Sequence, residues 1–404
     1  MINIFRLKIL SGMLENKNIF NPFVLLFLVQ LPIEISKFII GPWILLDEGI
    51  LDKFYNFAIL MQNLGLFAEL ILLLFAARIA KKYTLASSLL NSPINPVKML
   101  RVAFAFYLFF LIFFILLSSH SFGIVNWIKN PRQGYQYYRE GVGFLWVFSI
   151  SCLSISWTLC CLFYKKIFKL FLIFPLFSIS AFLLGSKGIV LDFFIFLFLI
   201  LILRKYKYTK QLVWTGTPIL IIFVLINFFG NLQDASFSEL FSYFDHFPNG
   251  AMYYKAYFNN EIPLYNGKIF ITDFWNLVPR GFYPNKPFVY GVTYINEYFW
   301  PGAAELSHTP AFGGQVNYFG DFGIIGVFLL NFLNPLKFAS YFFLCQLLKH
   351  YSFNKVTKNQ IILLLFLFFL APAFLFSLSF PLNLIFFIIC MSILIFINKL
   401  KLKS

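Results

Sequence analysis

Two cations in one stiff turn are the clearest chemical signal in this chain. They lie in the stretch WNLVPRGFYPNKP at 275–287, where prolines and a glycine bracket Arg280 and two prolines bracket Lys286. Proline fixes φ and cannot continue a helix, so both side chains are presented from a constrained turn. A guanidinium offers a planar fork matched to phosphate oxygens, and an ammonium adds a compact charge. The alternative for Arg280 is structural, the satisfying of loop carbonyls. Downstream, His308 stands in ELSHTPAFGG among polar residues and glycines, where it can take or give a proton near neutrality. His246, among aromatic neighbours, reads as structural.

A second group of cations lies in NPRQGYQYYREGVG at 130–143, which carries Arg132, Arg139 and several tyrosines. A third is Lys187 in the turn GSKG at 185–188. The apolar runs on either side of that turn, 168–184 and 189–203, are shorter than the ~20 residues that span a bilayer. The turn is therefore expected below the membrane surface, where a lysine needs an anion or water. An ion pair with Asp192, or snorkelling to the interface, would serve Lys187 equally.

Several chemistries are missing. No P-loop, Gly-rich dinucleotide turn, Asp-x-Asp pair or His-x-x-x-His motif is present, so no metal ligand set is expected and no cofactor is implied. The five cysteines, Cys152, Cys160, Cys161, Cys345 and Cys390, all fall in or at the ends of apolar segments. They read as small buried hydrophobes, not as a disulfide framework.

The elements that must carry these residues follow from composition. Of 404 residues, 60% are hydrophobic and 12% charged, whereas a soluble domain carries about 25% charge. The expected fold is an all-α polytopic membrane protein of about ten helices, near 20–42, 54–78, 99–119, 143–164, 168–184, 189–203, 211–229, 322–348, 360–379 and 381–398. This divides the chain into 1–229, with helices one to seven and an outer loop at 120–142; a large polar and aromatic loop at 230–321; and 322–404, with helices eight to ten. The first apolar run reads as an uncleaved span and not as a signal peptide.

Charge sets the expected orientation. The connections at 1–19, 78–101, 165–169, 204–210, 349–358 and 399–403 gather Lys and Arg around one acid, Glu15. The positive-inside rule puts them, and both termini, in the cytoplasm. The formal charge of +16 is then mostly a topology signal, and no nucleic-acid partner is needed to explain it. The loop at 230–321 and its cations fall on the opposite, extracytoplasmic side.

In layout and in "NPRQGYQYYREGVG", "GSKG", "PRGFYPNKP" and "HTPAFGGQVNYFGDFGIIG", the sequence resembles the Wzy-type oligosaccharide repeat-unit polymerases. An Arg, ten residues, then Gly recurs at Arg132–Gly143 and Arg280–Gly291. The resemblance implies a bacterial inner-membrane glycosyltransferase of the C-type architecture, independent of metal. Its substrates would be glycans on undecaprenyl pyrophosphate, membrane lipid would surround it, and a chain-length regulator is a further candidate partner. In such a reaction an acceptor hydroxyl attacks the donor's anomeric carbon and lipid pyrophosphate leaves. The pyrophosphate would fall to Arg280, Arg139, Lys187, Lys286 and Arg132, with Arg280 at the catalytic centre and His308 as base, Glu305 second. An O-antigen ligase shares this cation logic. A flippase or transporter of lipid-linked oligosaccharide is the alternative from another class, though it would show repeat symmetry and short loops.

Overall fold

The structure is a computed structural model. It describes residues 52–83, 95–131, 134, 143–185, 246–278, 280, 283–305 and 310–333, with scattered positions at 189–201 and 338–345. Among these residues the regular elements are helical and there is no strand. They are α1 (Asp52–Lys82), α2 (Pro96–Ser121), α3 (Ile124–Lys129), α4 (Gly143–Phe163), α5 (Ile167–Leu183), α6 (Phe247–Phe258), α7 (Lys268–Thr272), α8 (Thr293–Phe299) and α9 (Val316–Phe332). A 3₁₀ turn, Asp273–Leu277, continues α7. Three helices, Lys53–Lys82, Pro96–Ser121 and Gly143–Phe163, are long and apolar enough to cross a membrane. This agrees with a polytopic membrane protein. The expected spans at 54–78, 99–119, 143–164 and 168–184 coincide with α1, α2, α4 and α5. Those at 20–42, 211–229, 360–379 and 381–398 lie outside the described residues.

Two compact units divide the chain. One comprises Met1–Lys82, Phe228–Trp275 and Pro287–Phe342; the other comprises Tyr83–Asn227, Asn276–Lys286 and Phe343–Ser404.

In the second unit α2 and α4 pack along their length. Asn95 starts α2 by accepting from Val97 N and Lys98 N at 3.0 and 3.4 Å, with Pro96 at the first helical position, where its missing N–H costs nothing. Ser149, Ser151, Ser154 and Ser156 are buried on α4. Small residues let membrane helices approach closely, and Ser156 Oγ reaches across to donate to Ala103 O at 2.7 Å. Cys152, Cys160 and Cys161 are buried on the same helix as free thiols.

In the first unit the core joins Phe54, Tyr55, Ala58 and Met61 of α1 to Phe247, Ala251, Tyr253 and Tyr254 of α6, and to Val316, Phe319 and Val327 of α9. The segment before α9 runs directly through this core. Gly313 N donates to His246 O at 2.6 Å, and Tyr254 Oη donates to Gly314 O. The glycines allow the crossing. A Cβ on Gly313 would meet the His246 backbone at 2.9 Å, and one on Gly314 would meet Ala58 O at 2.7 Å.

Helix α9 is not one rod. Phe322 and Gly323 leave helical geometry, Gly323 at φ +62°. In a straight helix of 1.5 Å rise, Gln315 and Asn331 would stand about 24 Å apart, yet Asn331 Nδ2 donates to Gln315 Oε1 at 3.1 Å. The limbs before and after the break therefore fold back on each other, and a Cβ on Gly326 would strike Tyr318 O. The second limb begins near residue 322, where the apolar pattern opens its eighth run.

Gly314 and Gly302 share positive φ values, +76° and +77°, but nothing lies within 4 Å of a Cβ at Gly302. Both alanine variants carry the same backbone strain, and Gly314→Ala adds the clash with α1. Thermal unfolding in detergent should therefore show Gly314→Ala less stable than Gly302→Ala by about 1–3 kcal/mol; equal losses would mean the crossing tolerates a methyl.

Candidate functional site

The turn that holds Arg280 and Lys286 is closed by its own arginine. Arg280 Nη1 donates to Pro284 O at 3.2 Å and to Lys286 O at 2.5 Å, while Lys286 N donates to Tyr283 O at 3.0 Å. The structural reading of Arg280, the satisfying of loop carbonyls, is thus realised. Both bonds come from Nη1, and both cations are drawn into a single turn. Lys286 is half-buried, and burial together with the Arg280 charge lowers its ammonium to about 8. Two cations this close repel each other, so a bound anion would relieve the turn.

The turn belongs to the unit that also contains 83–227, and so to the same unit as 120–142 and 185–188. Two buried or half-buried tryptophans tie those latter segments together. Trp127 of α3 is fully buried, with its Nε1 donating to Leu183 O at 2.6 Å. Trp146 of α4 donates from Nε1 to Leu184 O at 3.0 Å. The last carbonyls of a helix have no partner within it, and here indoles supply them. Gly185 follows at φ +73°, its N–H bonded to Phe182 O at 2.8 Å. The start of GSKG is thereby fixed against α3 and α4. Gly134 closes the other side of Trp127, since a Cβ there would come within 2.4 Å of the indole.

Arg280, Lys286 and Glu305 are the site candidates that the structure describes. Glu305 is exposed, with its N–H on Gly302 O at 3.1 Å. His308, Arg132, Arg139 and Lys187 lie outside the described residues. Gly291, the glycine that follows Arg280 by eleven positions, has a local reason to be glycine. It sits at φ +57°, and a Cβ would fall 2.6 Å from Asp273 Oδ1. Its N–H is bonded by Thr272 Oγ1 at 2.9 Å.

The sequence reading missed the tryptophan clamp on the end of α5. Trp127 and Trp146 flank the cationic loop on both sides, which was the available signal. It missed Asp321 as well. That carboxylate is fully buried in the first unit, where it accepts from Ile269 N at 2.9 Å and Phe270 N at 2.6 Å. Among the described residues no group of three His, Cys, Asp or Glu side chains converges as a metal site.

The described part of the site is thus two neighbouring cations on one closed turn. The chain is similar to the O-antigen polymerases of Salmonella typhimurium (strain LT2) and Salmonella typhi. Each is 26% identical over 230 residues, which is 55% of this chain and 55% of the relative. The chain thus spans about half the length of the curated relatives it matches. No family model matches, and no solved structure matches.

The lowered Lys286 amine has a direct readout. Acylation followed by mass spectrometry should give a half-point near pH 8 for Lys286. Arg280→Gln should move that point up, because it removes the neighbouring charge. An unmoved half-point would mean that the two cations do not sense each other.

Proposed function

We propose that this chain polymerises oligosaccharide repeat units carried on undecaprenyl pyrophosphate. It transfers the growing glycan to the non-reducing end of a new unit at the outer face of the bacterial inner membrane. The observation that carries this reading is the Arg280–Lys286 turn, with two cations closed on one short loop of a polytopic membrane protein similar to O-antigen polymerases.

The chemistry needs what the turn offers. As the anomeric bond breaks, negative charge grows on the departing diphosphate, and fixed cations stabilise it most at that moment. Arg280 supplies a guanidinium and Lys286 a compact charge. Arg132, Arg139 and Lys187 complete the diphosphate site from the same compact unit. His308 takes the proton of the acceptor hydroxyl, with Glu305 the second candidate. The donor bond supplies the driving force, so the reading calls for no nucleotide, metal or other cofactor.

Lys286 gives the reaction a pH signature. Its ammonium is lowered, so it loses charge as pH rises through about 8. A diphosphate stabilises the charged form and pulls a proton back on binding. Affinity for lipid diphosphate should therefore weaken as pH rises through that value. Lys286→Arg should flatten this limb, because a guanidinium stays charged.

Arg280→Ala should abolish chain extension in cells while the protein still accumulates in the membrane. Arg280→Lys should restore little, since one ammonium cannot hold two carbonyls and a phosphate. Lys286→Ala keeps the carbonyl that Arg280 grips, so its loss of activity reads the charge alone. Normal polymer length in both alanine variants overturns the assignment.

A further inference from the structure

An exposed apolar surface joins a loop segment to a helix in the first unit. Phe270 is 51% exposed and Ile271 67%, and Phe274 in the 3₁₀ turn is also exposed. Across from them stand Phe322 at the bend of α9, then Ile324 and Ile325, the last 67% exposed. The two sets meet. A Cβ built on Gly267 would have the Phe322 ring at 3.0 Å and Ile271 Cδ1 at 3.9 Å. An apolar patch of this kind marks a membrane or protein contact.

Depth along α1 decides between them. Arg78, Lys81 and Lys82 mark one end of that helix. Counting ~20 residues back from Arg78 places the far boundary of the hydrocarbon layer near Ala58. Gly314 lies against Ala58, and Gln315 lies against Gly65, about 10 Å further in by helix rise. Asn331, bonded to Gln315, shares that level. The second limb of α9 climbs from there back to Ile325 and Ile324, six and seven residues earlier. These residues, and the Gly267–Ile271 turn beside them, fall at the hydrocarbon boundary.

Several of the main-chain and side-chain polar groups at this level are paired within the protein. Backbone that leaves a helix at membrane depth must be satisfied inside the protein. Asp321 takes the first N–H groups of α7. Tyr265 N and Asn266 N close on Gly320 O and Asp321 O at 2.8 and 3.0 Å. Gln315 Nε2 donates to Gln62 Oε1 at 3.3 Å, and the Lys268 ammonium lies over the Tyr294 ring at 4.1 Å.

We propose that residues 268–277 form an interfacial segment. In it Phe270, Ile271 and Phe274, continuous with Phe322, Ile324 and Ile325, are seated among the acyl chains of the leaflet that α1 enters at its Asp52 end. The proposal rests on α1 crossing the bilayer and is independent of which side faces out. The polar stretch 230–321 is then not wholly aqueous. The chain leaves this lipid-seated segment at Leu277 and reaches Arg280 three residues later, which suits a turn that must meet a diphosphate still attached to its lipid.

Spin labels test this in the full-length protein, with native cysteines replaced, reconstituted in bilayers. Ile271→Cys and Ile325→Cys are both surface changes. Phe109→Cys on α2 is the lipid reference and Glu261→Cys the aqueous one. The ratio of oxygen to Ni-EDDA accessibility at 271 and 325 should exceed that at 261 several-fold and approach that at 109. A ratio equal to that at 261 overturns the proposal. So does low access to both reagents, which would mean that protein, or a second copy of the chain, covers the patch. If 271 and 325 read as lipid-facing but a membrane-impermeant thiol reagent fails to reach 261 from outside intact cells, the interfacial segment stands and the outer-face placement of the proposed reaction falls.

Discussion

At several places among the described residues where the chain leaves a helix, a side chain meets the main-chain groups that the helix abandons. The constraint is elementary. A buried N–H or C=O without a partner costs as much as a lost hydrogen bond, and a bilayer offers no water to supply one. Trp127 and Trp146 take the last carbonyls of α5. Asp321 takes the first N–H groups of α7. Tyr254 takes Gly314 O where the chain crosses α1 and α6. Arg280 takes two carbonyls of its own turn. Arg280, which sequence reading treats as a chemical candidate, is also the residue that satisfies the irregular backbone of its own turn.

That dual duty gives the candidate site its character. A guanidinium pinned by two carbonyls has already lost its rotamer freedom, so an arriving phosphate need not order it. Burial, and then its fixed charge, make the neighbouring lysine reluctant to hold a proton. The turn thus keeps two cations close together in a fixed geometry, which is the form that electrostatic preorganisation for an anion would take.

Much of the scaffold was legible in the sequence, and the reasons are physical. Long apolar runs bounded by Lys and Arg gave α1, α2, α4 and α5 to within a few residues, because bilayer thickness fixes helix length. Pro284 and Pro287 signalled the constrained turn at Lys286 correctly, since proline restricts φ wherever it falls. The fold-back of α9 was not legible, because FGDFGIIG carries the same apolar signal whether straight or bent at Phe322–Gly323. The glycine pair at 313–314 read as a loop, when its role is to let backbone pass Ala58 and His246. Contacts between residues distant in sequence, such as Trp127 with Leu183, have no local signature at all.

The central claim is that the Arg280–Lys286 turn holds a lipid-linked diphosphate, and binding tests it without depending on turnover. The purified protein in nanodiscs would be titrated with a polyprenyl diphosphate at pH 7, beside Arg280→Ala, Lys286→Ala and the double variant. The account predicts at least a tenfold weaker Kd for each single variant, a loss of about 1.4 kcal/mol. It predicts a further loss in the double variant, while thermal unfolding shows all four proteins folded. Equal affinity for the diphosphate across the four would contradict it.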